Sequence, residues 1–409
     1  MSSGGEPTSA ADWRSLALLF GGNVLFAAGL FVHAFLFNFY LRELQLPASV
    51  MGHQVAAMTI GGLCALLPAG VIIDRIGTRS ALLGGVVCAC VGLTLTALAR
   101  DPIVIYVAAF MIGLGGASCR VAWGPAIMRM TTDASRARAF TWNAALLIGT
   151  GSGWTYLSGV LPTWSARLVT GTGLTGIQLV LLAGAVITAG SALCYLPLRL
   201  PLATHALRGR PRIELPGEVR VLVPLIAFWM LAAALVLPFF NIYFASRFAM
   251  PVPQVGALFA TTHLFTAVIL VGAAELARRW GPRRMLLFWM VLFPPALLWL
   301  SAIDVLSVAV ALYFVQGLIA PATNPLIDQV LLERTPRERH GIVAGWRNAA
   351  AEGAGAIGAS AGGRLLDVSS FSVLFFAAGA VAAASAALLT AGLRARRAPA
   401  MLLPDAGAR

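Results

Sequence analysis

Asp74-Arg75-Ile76-Gly77-Thr78-Arg79-Ser80 is answered 204 residues later by Arg278-Arg279-Trp280-Gly281-Pro282-Arg283-Arg284, with glycine and arginine in register. At the same spacing Trp142 returns as Trp346, each followed by a polar residue and small alanines. Phe37-Asn38-Phe39-Tyr40 returns as Phe240-Asn241-Ile242-Tyr243, one residue out of step. A repeat of half the chain length means two similar halves rather than a solenoid of short units.

What each half is made of follows from composition. The 409 residues are 59% hydrophobic and 11% charged, with mean hydropathy +0.84. Soluble domains carry about 25% charged residues, so lipid must be the solvent for most of this surface. The net charge is +13, and all 29 basic residues are arginine. They sit in short loops between apolar runs, which suits anionic lipid headgroups rather than nucleic acid. The five cysteines, Cys64, Cys88, Cys90, Cys119 and Cys194, lie in apolar segments without metal-ligand spacing. They read as small packing residues, and no metal or cofactor is expected.

Twelve apolar runs are long enough to cross about 30 Å of hydrocarbon. They fall near 15–41, 50–73, 80–99, 103–128, 139–162, 174–198, 219–245, 254–277, 284–303, 305–331, 341–363 and 371–393. The fold class is therefore all-α and membrane-embedded, with two pseudo-symmetric six-helix halves at 15–198 and 219–393. Internal prolines, Pro238 among them, are compatible with membrane helices. The loops after even-numbered spans, together with the tails 1–14 and 394–409, hold twenty-two arginines. The other side holds five, Arg42, Arg100, Arg167, Arg247 and Arg364, and two more, Arg120 and Arg347, lie within spans. Positive charge stays inside, so both termini and the proline-rich linker 199–218 are expected in the cytoplasm of a bacterial inner-membrane protein. Two embedded halves related by a repeat are the build of a secondary transporter.

Gly70-Val-Ile-Ile-Asp74-Arg75-Ile-Gly77-Thr-Arg79 resembles the loop between spans 2 and 3 of the major facilitator superfamily, and the likeness extends over the whole chain. The resemblance implies a gate in which Asp74 meets the positive N-terminal end of span 11. The second copy lacks the acid, since Arg278 stands where Asp74 would repeat. Span 11 carries Gly358-Ala359-Ser360-Ala361-Gly362-Gly363, similar to a packing motif that drug antiporters of the family place in span 5. In span 5 of this chain the matching stretch is Trp154-Thr155-Tyr156-Leu157-Ser158-Gly159. Large aromatics there are expected to replace small packing residues, which argues against familiar drug–proton antiport.

A charge at mid-membrane costs at least about 2.5 kcal/mol, so each one marks a candidate site. Glu352 and Asp328 are the proton-coupling candidates, with His33 and His263 as alternatives because histidine titrates near neutrality. Candidate solute contacts are Arg120, Trp123, Asn143, Trp154, Tyr156, Asn324 and Arg347. Asn38, Tyr40, Asn241 and Tyr243 are expected to form a rim at the outer ends of spans 1 and 7. Arg120 is expected to pair with Asp328 or Glu352 between the halves; the competing arrangement is an Asp328–Arg347 pair inside the second half. Glu352 is equally open to neutralisation by Arg347. No nucleophile motif or nucleotide-binding loop appears, so an enzyme is not expected. The partners implied are a small organic solute, a proton or other coupling ion and the bilayer. The leading reading is a monomeric secondary transporter of a small organic solute, working by alternating access and coupled to protons, with export slightly favoured over uptake. Uptake of an anionic metabolite, or a non-transporting receptor or scaffold, is the alternative.

Overall fold

The computed structural model describes the backbone of residues 13–198, 217–333, 335–336 and 339–395. Within these it describes all side chains but those of 67–75, 217–219, 267, 270–271, 273–274, 320, 341 and 392–395. The expected tails and nearly all of the linker thus lie outside the described residues, as do the side chains of Asp74 and Arg75 and the surroundings of Gly70.

The first half is α1 (Trp13–Glu43), α2 (Ala48–Ile76), α3 (Thr78–Leu98), α4 (Pro102–Met130), α5 (Asp133–Ser165) and α6 (Gly176–Tyr195). The second opens with α7 (Gly217–Val236), a 3-10 turn (Leu237–Phe239) and α8 (Phe240–Arg247). It continues with α9 (Val252–Trp280), α10 (Pro282–Leu300), α11 (Leu306–Leu332), α12 (His340–Val368) and α13 (Phe371–Ala395). Helices satisfy every backbone N–H and C=O internally, which hydrocarbon demands. All twelve apolar runs are helical, and span 7 alone is broken. Pro238 has no N–H for the carbonyl four residues back, and there the chain tightens into the 3-10 turn. Pro125, Pro294, Pro295, Pro321 and Pro325 stay inside helices.

Among the described residues, nine helical segments are long and apolar enough to cross a membrane. The long helices that fall short are α5, α9 and α12. Each carries charges: Asp133, Arg136 and Arg138 on α5, Glu275, Arg278 and Arg279 on α9, and Arg347, Glu352, Arg364 and Asp367 on α12. A helix with one face on protein or water need not be apolar all round.

The repeat is conformational as well as sequential. Gly77 caps α3 with φ 85° and ψ 153°, and Gly281 caps α10 with φ 85° and ψ 146°. Such a left-handed φ favours glycine, which explains its return 204 residues on. Gln45 and Ala249, also repeat mates, both adopt positive φ, 57° and 49°. The one-residue slip is visible here too. Leu46 N donates to Leu41 O at 3.0 Å, a five-residue reach, whereas Met250 N donates to Phe244 O at 3.3 Å, a six-residue reach.

The chain divides into two compact units. One comprises Met1–Gly209, Leu235–Val268 and Ala359–Ser370; the other comprises Arg210–Ala234, Ile269–Gly358 and Phe371–Arg409. The first unit therefore joins α1–α6 to the arginine-poor ends of α7, α8, α9 and α12. Small residues make this joint. Gly159 of α5 and Gly256 of α9 meet so closely that a Cβ on Gly159 would lie 3.0 Å from the Cα of Gly256, and the converse is 2.8 Å. Gly52 of α2 abuts the carbonyl of Ala359, and a Cβ on Gly363 of α12 would lie 2.9 Å from the Cα of Ser49. The repeat equates Gly52 with Gly256 and Gly159 with Gly363, so the two crossings are pseudo-symmetric copies. Between them, Asn38 Nδ2 donates to Pro238 O (2.6 Å) and to Asn241 Oδ1 (3.1 Å), while Asn241 Nδ2 donates to Phe35 O (2.9 Å). Each asparagine thus bonds the carbonyl three residues before its mate. Ser152 Oγ donates to Ala260 O (2.9 Å), and the Asp367 carboxylate accepts from Ser49 N in the first turn of α2 (3.2 Å). That placement suits the helix dipole.

The small side of span 5 faces this joint. Thr155, Ser158 and Gly159 are buried, whereas Tyr156 is exposed. The aromatics divide: Trp154, half-buried and one turn before Ser158, takes the place of Gly358 in the repeat, whereas Tyr156 lies off the buried stripe. In the second unit Trp229 packs edge-on against Phe293 (5.0 Å), and Met285, Met290 and Phe375 are buried as well.

Overpacking a close crossing costs about 1–3 kcal/mol. Gly256→Leu is therefore expected to open the arginine-poor end about fivefold to a hundredfold more often. Spin labels at Thr163 and Ser246 should report a longer distance population in a protein that still folds; an unchanged distribution would count against this joint as a gate.

Candidate functional site

On α4, successive residues turn by about 100°, and neighbours identify each stripe. Gly115 and Cys119 face Gly85 and Leu82 of α3; Gly113 faces Met58 of α2; Gly116 faces Leu30 of α1. Trp123 meets Phe26 of α1 edge-on at 6.2 Å. Arg120 falls between the α1 and α2 stripes, well away from α3. Its side chain is exposed, and its Nη2 lies 4.0 Å from where a Cβ on Gly62 would be. Among the described residues no carboxylate or hydrogen-bond acceptor holds it.

Beside Arg120 runs a buried polar relay. Trp123 Nε1 donates to Tyr195 OH (3.3 Å), Tyr195 OH donates to Asn23 Oδ1 (2.9 Å), and Asn23 Nδ2 donates to Asn143 Oδ1 (2.7 Å). Asn23 and Tyr195 are buried, and Trp123 and Asn143 are half-buried. The relay ties α1, α4, α5 and α6 at one level.

The second half holds its arginine differently. Buried Arg347 donates from Nη2 to Asn324 Oδ1 (2.8 Å) and from Nη1 to Asn348 Oδ1 (2.9 Å). Its Nε lies 3.1 Å from Asp328 Oδ1, an ion pair whose angle is not that of a hydrogen bond. The Asp328–Arg347 arrangement weighed from the sequence is the one present. Arg347 and Asn324, both candidate solute contacts, are bonded to each other here. Glu352 is half-buried, and no described group bonds it, so Arg347 is not its neutralising partner.

The remaining candidates are dispersed. Asn38 and Asn241 meet at the joint. Tyr40 is enclosed instead of lining a rim; its OH donates to Ala99 O (3.1 Å) and accepts from Gln178 Nε2 (3.1 Å). Tyr243 is likewise buried, among Phe240, Phe244 and Phe248. Trp154 lines an apolar groove of about 330 Å³ with Val32, Leu161, Trp164 and Leu179, between α1, α5 and α6. His33 is buried, stacked on Phe37 (4.5 Å) and 3.2 Å from Gln54 Nε2. His263 meets Phe31 edge-on at 5.8 Å. Of the gate residues, Gly77 caps α3 and Arg79 is exposed.

Sequence reasoning missed Tyr195, Gln54 and Gln178. Tyr195 closes an apolar span at its end, where tyrosine reads as an interfacial anchor. Pairing polar positions within spans 1 and 2 by depth offers a signal for Gln54, which lies level with His33.

A sequence profile of the Major Facilitator Superfamily matches residues 19–237 and again 222–408. The chain belongs to the Major Facilitator Superfamily. It is a multi-pass membrane transporter of that type. No curated protein matches it in sequence. Solved structures share the fold. The nucleoside transporter NupG, in a point-mutant form, superposes with TM-score 0.76 at 13% identity, over 94% of this chain and 100% of that one. A bacterial homologue of the iron transporter ferroportin, inward-facing, gives 0.73 at 15% identity over 94% and 99%. A bacterial homologue of the lysosomal transporter Spinster, inward-facing and unoccupied, gives 0.68 at 13% identity over 97% and 100%.

Removing one partner of an ion pair strands the other. Asp328→Asn is expected to cost about 2 kcal/mol, below the fully buried value because Asp328 is 47% exposed. The double change Asp328→Asn with Arg347→Gln should recover most of it, read as detergent-solubilised Tm. A double variant no better than the single one would rule the pair out as mutual neutralisation.

Proposed function

We propose that this protein is a secondary transporter that moves a small organic solute across a bacterial inner membrane by alternating access, coupled to protons and directed outward. The joint at the arginine-poor end carries the reading. It is built from glycine crossings and an amide exchange, contacts that separate and re-form without stranding a charge. The arginine asymmetry supports placing that end outside and both termini in the cytoplasm. On this reading the joint closes the outer entrance, and the cargo site is reached from the cytoplasm.

Two features bear on the cargo. Exposed aromatics on α5, Trp142 and Tyr156, suit an amphipathic solute and hence export. Exposed Arg120 suits an anion. Glu352 is the coupling residue in this proposal, because it is a half-buried acid in a helix of alanine and glycine and no described cation claims it.

Reconstitution tests both parts. In proteoliposomes, Glu352→Gln should abolish accumulation driven by a pH gradient yet retain exchange between compartments of equal pH, because the amide mimics the protonated acid. Gradient-driven accumulation at the wild-type level in that variant would remove Glu352 from the coupling step. For orientation, a cysteine placed at Arg208 should react with an impermeant reagent only after cells are permeabilised; labelling of intact cells would invert the topology.

A further inference from the structure

The repeat equates Arg120 with Asn324, Asn143 with Arg347, and Gly124 with Asp328. The two halves therefore carry an arginine and an asparagine at equivalent positions, with the two residues exchanged between helices. In the second half the pair is bonded at 2.8 Å and Asp328 completes it with a carboxylate. In the first half the carboxylate is missing. Gly124 stands in its place, one helical turn from Arg120, and a Cβ there would meet nothing within 4 Å. The asparagine oxygen is turned to Asn23 instead, accepting from its Nδ2 at 2.7 Å, and no described bond joins it to Arg120.

The direction of that last bond is the one that gives every donor of the relay a partner. An indole N–H only donates. Tyr195 OH accepts it and donates its own proton to Asn23 Oδ1. Asn23 then presents Nδ2 to Asn143 and takes up one lone pair of its oxygen. The Asn143 NH₂ keeps two donors that no described residue accepts. Arg120 adds five N–H donors in a planar fork. The open face thus offers donors, positive charge and an empty space where the other half keeps a carboxylate.

We infer that this face is a carboxylate-binding site, in which the acid group of a small organic anion takes the part that Asp328 plays for Arg347. Arg120 grips the carboxylate, Asn143 donates to it, and the space at Gly124 receives it. Tyr195 and Trp123 are positioning residues that fix which end of the Asn143 amide faces the solute. The inference rests on the transport reading for the identity of this anion as cargo. The site itself is a binding claim and is tested separately.

The full chain, purified in detergent, is heated with matched carboxylate, carboxamide and amine probes at equal concentration. Suitable sets are phenylacetate, phenylacetamide and phenethylamine, and indole-3-acetate, indole-3-acetamide and tryptamine. A carboxylate is expected to raise Tm, with its amide and amine at least tenfold weaker. Arg120→Gln should abolish the response. Gly124→Asp should also abolish it while raising the basal Tm, since it supplies the missing carboxylate from within; this variant decides the matter if Arg120→Gln does not fold. Trp123→Phe should lower the carboxylate-to-amide ratio severalfold with little change in basal Tm, an effect that mere packing would not produce. The proposal is overturned by equal responses within a set, by preference for amide or amine, by no carboxylate response, or by a carboxylate response that survives both Arg120→Gln and Gly124→Asp. Flux in proteoliposomes separates the two readings. Carboxylate binding without flux leaves the site standing and sinks transport. Flux of an amine without carboxylate binding does the reverse.

Discussion

Hydrocarbon leaves no polar group without a partner at low cost, and that constraint orders this molecule from backbone to binding face. It makes the chain helical throughout its spans. It decides what becomes of the two arginines placed within them. Arg347 is enclosed and receives two amide oxygens and a carboxylate. Among the described residues Arg120 receives none, and it is instead exposed between α1 and α2. An arginine that is neither neutralised nor hidden must face water or a ligand, so the same rule that builds the second half's core opens a site in the first.

The joint at the arginine-poor end obeys the rule in another way. Its polar contacts are amides, a hydroxyl and backbone groups, supplemented at the edge by Asp367 at the start of α2 and Arg364 bonded to His53 (3.2 Å). Neutral groups lose about 0.5–1.5 kcal/mol net when a hydrogen bond is exchanged for water. A buried ion pair separated in lipid would cost far more. The charges sit where water can reach them, and glycines allow the helices to touch.

Much of this was legible in the sequence. The spans followed from apolar length, the two halves from the repeat, and Gly77 and Gly281 from their recurrence at a turn. The Asp328–Arg347 pair was legible as one of two arrangements, since charge in lipid has few places to go. Other features were not. Pro238 looks like any proline in a membrane helix, and nothing in the sequence marks it as the one at which the chain tightens into a 3-10 turn. Tyr156 was grouped with Trp154 because a motif read linearly ignores rotation about the helix. Tyr195 was invisible because its role lies in where its hydroxyl points. Of the gate stretch, Asp74 and Arg75 carry the charge, and their side chains lie outside the described residues.

Duplication usually frees one copy to drift while the other keeps the work. The exchange between Asn38 and Asn241 removes that freedom at one position. Each side chain is both donor to the other copy's backbone and neighbour of the other copy's amide. Replacing either asparagine by leucine removes the bond between the amides and takes the donor from a carbonyl of the other copy, Pro238 O or Phe35 O, so a loss in one copy is felt in both. The two sites are bound to share a history: among descendants of this chain they should be kept together or exchanged together, long after the sequences around them have ceased to look alike.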